Sequence, residues 1–183
     1  MTTAHDIARL TNRELRALLR EGHPIDPAAL DDSAYRGVSL GLPRLLERLS
    51  WKTFRKVFHR DPARGTLRGW NVRVEQRGVD APSRARMRRG EEWTFGHYVV
   101  CNPLPDRAPQ GVAHALLLDY GAGRNARLDP ISRVRDPLVA INAGSVELLL
   151  GYTYLDLGML VDTPSFFTLE REGRLEKFVA PPR

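Results

Sequence analysis

Two neighbouring pairs of residues, His97-Tyr98 and Asp119-Tyr120, carry the side chains best suited to acid–base chemistry in this sequence. His97 lies in an alternating segment whose other members on the same face are apolar, and a buried imidazole requires a hydrogen-bond partner. Asp119 would supply that partner if the two segments pair as a hairpin. A His–Asp pair beside a tyrosine hydroxyl could then act as a general base. The alternative is a structural histidine, with Asp119 capping the turn that follows it.

The sequence lacks the motifs of metal and nucleotide sites. Its five histidines are scattered, and Cys101 is the single cysteine, so no ligand spacing typical of zinc is present and no intramolecular disulfide can form. There is no Gly-x-Gly-x-x-Gly, P-loop or Gly-x-Ser-x-Gly motif. We therefore expect no metal and no cofactor.

Two helices are predicted near the N-terminus. Thr11 and Glu14 have the spacing of a capping box, the leucines that follow lie on one face, and Gly22 ends the segment. A second helix is predicted over Leu42–His59, because its leucines recur at helical spacing and basic residues occupy the other side.

After Gly65 the period of the apolar residues changes from 3.6 to 2, which is typical of β-strands. Short turns between six to eight such segments favour an antiparallel sheet that closes into a barrel. We predict a mainly β, α+β fold: a calycin-like β-barrel preceded by two helices. It forms a single domain over residues 1–183, with a helical segment, residues 1–64, packed on a barrel, residues 65–178.

Aromatic residues alternate along several of the predicted strands and would project into the barrel. An apolar, aromatic lining with a few polar tips is typical of small-molecule pockets, although in a small barrel the same residues can fill a solid core. The side chains predicted to bind a hydrophobic ligand are Trp70, Trp93, Phe95, His97, Tyr152, Tyr154 and Phe167.

The chain has 28 basic and 22 acidic residues, a net charge of +6, and this charge is unevenly distributed. The segment from residue 36 to residue 89 has a net charge of +11 and the remainder −5. Such asymmetry can mark a surface for an anionic membrane or an acidic protein, or can reflect arginines at solvated positions. Nucleic acid is disfavoured, because no recognition helix or exposed aromatic row accompanies the charge. The candidate anion contacts are Arg48, Lys52, Arg55, Lys56, Arg84, Arg86, Arg88 and Arg89.

Several segments resemble bacterial GXWXG-domain proteins, a family of unknown function. The segments are Leu10-Thr11-Asn12-Arg13-Glu14-Leu15, His23-Pro24-Ile25-Asp26-Pro27, Ser33-Ala34-Tyr35-Arg36-Gly37, the following leucine-rich segment up to Trp51 and Lys52, and Phe166-Phe167-Thr168-Leu169-Glu170-Arg171. Ser33 and Tyr35 stand where the family has its first glycine and its tryptophan, and Gly37 matches. The resemblance implies a barrel-like architecture and assigns no catalytic residue.

Three functions remain open. The first is a cytoplasmic, cofactor-free protein that binds a hydrophobic small molecule, such as a lipid or a polyketide-like metabolite. The second is an acid–base enzyme in a conical barrel that resembles the SnoaL-like and ketosteroid-isomerase-like group, with His97, Asp119, Tyr98 or Tyr120 moving protons. The third is a module that binds anionic surfaces through the basic segment. The cytoplasmic location is expected because the N-terminus lacks the pattern of a signal peptide.

Overall fold

Eight antiparallel strands form a closed barrel in the computed structural model, which describes residues 2–41, 52–103, 109 and 111–182. The order around the barrel is β1-β10-β9-β8-β7-β6-β3-β2, and β4 and β5 form a separate two-stranded sheet. The strands are β1 (Ser33–Leu40), β2 (Thr53–Arg60), β3 (Leu67–Arg73), β4 (Met87–Arg88), β5 (Glu91–Glu92), β6 (Thr94–Cys101), β7 (Leu116–Asp119), β8 (Val134–Ala140), β9 (Leu148–Asp156) and β10 (Leu160–Arg174). The prediction of a mainly antiparallel β-barrel is thus confirmed.

Two short helices, α1 (Ala4–Ile7) and α2 (Asn12–Glu21), pack against the outside of the barrel. A capping box starts α2, as predicted: the Thr11 hydroxyl accepts from the Glu14 backbone N–H, and the Glu14 carboxylate accepts from the Thr11 N–H at 2.7 Å. Leu15 and Leu19 lie on the buried face of α2. No helix within the described residues is long and apolar enough to cross a bilayer.

The predicted helix over Leu42–His59 is wrong where the structure describes it, because residues 53–60 form strand β2. Residues 42–51 lie outside the described residues. In β2, Phe54 and Phe58 point into the barrel, whereas Val57 packs on its outer face. A strand that is buried on both faces loses the alternation of period 2, and its apolar residues then fit helical spacing equally well.

The barrel also begins earlier than residue 65, since β1 starts at Ser33 and pairs with both β2 and β10. Gly37 is required in β1 because a Cβ there would lie 2.3 Å from the Phe54 ring. Small and polar residues occupy much of this strand, so its sequence carries little periodic signal.

Within the part of the chain that the structure describes, one end of the barrel is a packed core and the other is open. Tyr35, Phe58 and Tyr98 make edge-to-face contacts at 5.5 and 5.8 Å between ring centroids. Leucines from opposite strands complete this core, and Leu30 from the short 3₁₀ turn Pro27–Leu30 packs with it. Aromatic side chains packed at this density leave no room for a ligand, so any internal site must lie at the opposite end.

Candidate functional site

A cavity of about 310 Å³ opens at the end of the barrel away from the packed core. Half-buried side chains form its rim and walls, and four almost completely buried polar side chains form its floor. The wall and rim residues are Ser39, Phe54, Phe95, Ile131, Val134, Thr153, Ser165 and Phe167, of which Phe167 is buried; the floor residues are Lys56, Asn71, Tyr120 and Asp136.

The centre of the floor is an ion pair that spans the barrel. Lys56 is on β2 and Asp136 is on β8, and three strands separate β2 from β8 in either direction around the barrel. The Lys56 Nζ lies 3.1 Å from the Asp136 Oδ2, and both side chains are at most 3 % exposed. Strands on opposite sides can only be bridged through the interior, so this contact places both side chains inside the barrel.

Tyr120, Asn71 and Thr153 complete the hydrogen bonds of the pair. Lys56 Nζ donates to Asn71 Oδ1 at 3.1 Å and to the Tyr120 hydroxyl, and the Tyr120 hydroxyl donates to Asp136 Oδ2 at 2.9 Å. Thr153 Oγ1 donates to Asp136 Oδ1 at 2.8 Å. Asn71 Nδ2 donates to the backbone carbonyl of Gly96 at 3.0 Å and to the Tyr120 hydroxyl at 3.3 Å. Such a network fixes the position of every polar group in the floor.

Burial sets the protonation preferences of the floor. Loss of hydration lowers the pKa of Lys56, and the negative charge of Asp136 opposes this shift. The rings of Tyr98, Tyr120 and Phe167, each with its centroid 5.0 Å from the Lys56 Nζ, favour the ammonium form further. Burial and the neighbouring Asp136 raise the pKa of Tyr120 well above its ordinary value, so its hydroxyl remains protonated and acts as a donor.

The walls above the floor are apolar. Phe54 and Phe167 pack edge to face, with ring centroids 5.8 Å apart. Gly151 on β9 is needed beside them, because a Cβ at this position would lie 2.1 Å from the Phe167 ring. The cavity therefore combines an aromatic wall with one hydrogen-bonded polar floor, which is the usual chemistry of a small-molecule site.

The structure does not bring His97 and Asp119 together as an acid–base pair. The His97 ring stacks on Trp70 at 6.1 Å on the outside of the barrel, and its Nδ1 has no hydrogen-bond partner among the described residues. Asp119 instead caps the following turn, where it accepts from the Gly121 N–H at 2.7 Å, and pairs with Arg135 at 3.2 Å. Burial and the nearby Arg68 lower the pKa of His97 to about 4. Of the four predicted acid–base residues, only Tyr120 lines the cavity.

Of the seven residues predicted to bind a ligand, Phe95 and Phe167 line the cavity and the other five do not. Trp70, together with Val57 and Val72, packs on the outer face, where the C-terminal segment, residues 175–182, covers it. Tyr152 and Tyr154 also face outward, in the cluster that contains the α2 leucines. Trp93 lies on the outer surface, with the Arg73 guanidinium 3.9 Å from its ring centroid.

Two features explain why several residues predicted to face the barrel interior lie on its outside. The helices and the C-terminal segment cover the outside of several strands, so large apolar residues occupy both faces there. In β6, Gly96 has a positive φ of 54°, and the pairing with β3 shifts register between Gly69 and Asn71. A bulge of this kind interrupts strict alternation. Phe95 therefore faces the cavity, whereas His97 points away from it.

Among the described residues, tertiary contacts pair four of the basic residues of the +11 segment with carboxylates from the rest of the chain. These pairs are Arg36–Glu170, Arg55–Glu172 at 3.4 Å, Lys56–Asp136 at 3.1 Å and Arg60–Asp31 at 2.8 Å. The prediction that Lys56 is an exposed anion contact is therefore wrong. Arg84, Arg86, Arg88 and Arg89 are exposed, Lys52 is half-buried, and Arg48 lies outside the described residues. The anionic partner remains a prediction.

A larger cavity, about 480 Å³, is a groove on the outer surface and differs from the site in the barrel. Its lining is charged: Arg55 lies 3.6 Å from Glu92 and 3.4 Å from Glu172, and Lys177 lies 2.8 Å from Glu91. We consider the smaller interior cavity the better candidate, because its polar groups are buried and converge on one point.

One feature of the composition points to the floor. The chain has only three lysines against 25 arginines, and Lys56 is one of the three. A lysine that persists in an arginine-rich chain, flanked by Phe54 and Phe58 at period 2, could have been read as an inward-facing residue. Asn71 and Asp136 carried no such signal, because their partners are distant in the sequence.

Within residues 2–41, 52–103, 109 and 111–182, no group of three or more His, Cys, Asp or Glu side chains is arranged to hold a metal ion. Comparison of the sequence with protein-family models matches no family, and comparison with curated proteins finds no significantly similar sequence.

Proposed function

We propose that the protein binds a small, largely apolar molecule in the open end of its barrel. The observation that carries the proposal is the cavity itself, about 310 Å³, with aromatic and aliphatic walls and a buried polar floor. Its volume is at the lower end of the range for ligand sites. A compact lipid fragment or a polyketide-like metabolite would have the required chemistry.

The position of the polar groups supports binding over a purely structural role. A barrel of eight strands can be filled by apolar side chains, and aromatic and aliphatic side chains dominate the packed end here. At the open end the interior instead holds an ion pair with three further polar groups, whose desolvation is costly. A role of the floor in orienting a bound molecule would explain why these polar groups are buried despite the cost of their desolvation.

The binding test uses a neutral hydrophobic dye, N-phenyl-1-naphthylamine, and a variant that fills the cavity. Val134 lies on the cavity wall and is half-buried, whereas Val79 is 39 % exposed and does not line the cavity. We expect Val134→Trp to weaken dye binding at least tenfold and the matched control Val79→Trp to leave it unchanged. Absence of dye binding to the unaltered protein, or equal binding by the two variants, would contradict the proposal.

A second candidate is acid–base chemistry on the bound molecule. The favouring observation is that three titratable groups, Lys56, Tyr120 and Asp136, meet at the cavity floor. A simple test is hydrogen–deuterium exchange of the α-protons of 2-octanone in D₂O, followed by NMR. The candidate requires exchange faster than in buffer and loss of that acceleration in Tyr120→Phe. Exchange at the buffer rate would eliminate it.

A further inference from the structure

Every polar hydrogen of the floor and of Thr153 already has an acceptor within the protein. The three N–H groups of Lys56 face Asn71 Oδ1, the Tyr120 hydroxyl and Asp136 Oδ2. The Tyr120 and Thr153 hydroxyls both donate to Asp136. The two N–H groups of Asn71 go to the Gly96 carbonyl and to Tyr120. The floor therefore has no donor left for a ligand.

Several oxygen atoms of the floor and of Thr153 can, in contrast, accept further hydrogen bonds. A carboxylate offers about four acceptor positions, and Asp136 uses two on Oδ2 and one on Oδ1, which leaves one on Oδ1. An amide oxygen accepts about two hydrogen bonds, and Asn71 Oδ1 receives one, from Lys56. The Thr153 oxygen can also accept. A ligand that satisfies the floor must consequently bring its own hydrogen.

The charge of the floor points to a neutral ligand. The Lys56 ammonium and the Asp136 carboxylate compensate each other at 3.1 Å, and Tyr120 remains uncharged. A carboxylate ligand would meet no uncompensated positive charge and would leave its oxygens without donors in a buried site, which is costly. A cationic ligand would lie close to the Lys56 ammonium. The Ser165 hydroxyl on the rim is half-buried, so water competes with a ligand there.

We propose that the ligand is a neutral apolar molecule that donates a hydrogen bond from a hydroxyl group to the cavity floor. The inference rests on the proposed function, because it specifies the chemical class of the molecule bound in the same cavity. The receiving atoms are Asp136 Oδ1 and Asn71 Oδ1. A fatty acid anion and an ether of equal length are excluded as preferred ligands, because neither can donate a hydrogen bond to the floor.

The test is competition of three matched probes, 1-octanol, octyl methyl ether and octanoate, against bound N-phenyl-1-naphthylamine at pH 8. A hydrogen bond to a charged acceptor should make 1-octanol at least tenfold more effective than either of the others. Equal or better displacement by the ether or by octanoate would overturn the inference while leaving the binding site intact. Failure of the dye itself to bind would overturn the proposed function and this inference with it.

A variant tests this count of free hydrogen-bond donors and acceptors in the floor directly. Tyr120→Phe removes one acceptor from Lys56 and one from Asn71, so two N–H groups of the floor become available to a ligand. We expect the preference for 1-octanol over the ether, measured against this variant's own dye affinity, to fall severalfold. Thr153→Val removes a donor to Asp136 and exposes no new N–H group, so the preference should not fall in that variant. An unchanged preference in Tyr120→Phe would contradict the claim that the floor of the unaltered protein has no free donor. If that variant does not fold, the competition experiment on the unaltered protein decides whether the inference holds.

Discussion

Replacing Lys56 with methionine tests whether the ion pair across the barrel is a coupled unit. Methionine is similar in length, so little space is lost or created. The change removes all three hydrogen bonds of the Lys56 Nζ and leaves Asp136 as an unpaired charge that is almost completely buried. Breaking a buried pair in this way typically costs about 3–5 kcal/mol.

The remaining contacts of Asp136 place the expected cost at the lower end of that range. The carboxylate keeps the hydrogen bonds from Tyr120 at 2.9 Å and from Thr153 at 2.8 Å. We therefore expect Lys56→Met to lower the free energy of unfolding by about 3 kcal/mol. With a urea m-value of about 2 kcal/mol/M, the unfolding midpoint would fall by about 1.5 M. Because protonation relieves an unpaired buried carboxylate, the loss should be smaller at pH 4 than at pH 8.

Two further variants separate coupling from general damage. Lys177→Met removes a lysine from an exposed pair with Glu91 and should change stability far less than Lys56→Met does. The double variant Lys56→Met/Asp136→Leu removes both buried charges and should lose less stability than Lys56→Met alone. The reasoning is refuted if Lys56→Met costs less than about 1 kcal/mol, or if the double variant loses as much stability as Lys56→Met alone.

Three other predictions follow from local environments. The pKa of His97 is about 4 when folded and near 6.5 when unfolded, so the unfolded chain binds more protons between these pH values. The free energy of unfolding should thus fall by up to about 3 kcal/mol as the pH drops from 6.5 to 4. His97→Phe should reduce this dependence of stability on pH. An unchanged dependence, measured by urea titrations at several pH values, would contradict the assignment of the effect to His97. Gly69→Ala would place a Cβ 2.0 Å from the Val57 carbonyl oxygen, so its thermal midpoint should drop by several degrees, and an unchanged midpoint would contradict the close approach. Burial and Asp119 raise the pKa of Cys101, so iodoacetamide should alkylate the native protein more slowly at pH 7.5 than the urea-unfolded chain, and equal rates would count against this environment.

Local signals were sufficient for some elements. The capping box at Thr11 and Glu14 involves residues three apart, so it could be recognised in the sequence and marks the start of α2 in the structure. The strands after residue 65 were recognisable as a class, because period 2 survives where a strand has two distinguishable faces. Which face is inward did not follow, because covering layers on the outside bury residues such as Trp70 and Tyr152 as fully as the interior does.

The candidate site depends on contacts that no local pattern contains. Lys56 and Asp136 are 80 residues apart in the sequence and meet only because β2 and β8 face each other across a closed barrel. Composition established a basic chain with one cysteine. The alternation of apolar residues and the short turns indicated an antiparallel β-sheet. Only the tertiary structure decided that a lysine predicted to be a surface charge lies inside the barrel, and that four basic residues of the +11 segment pair with carboxylates from the remainder. The physical reason is that periodicity reports on neighbours along one strand, whereas barrel closure and register determine which strands face one another.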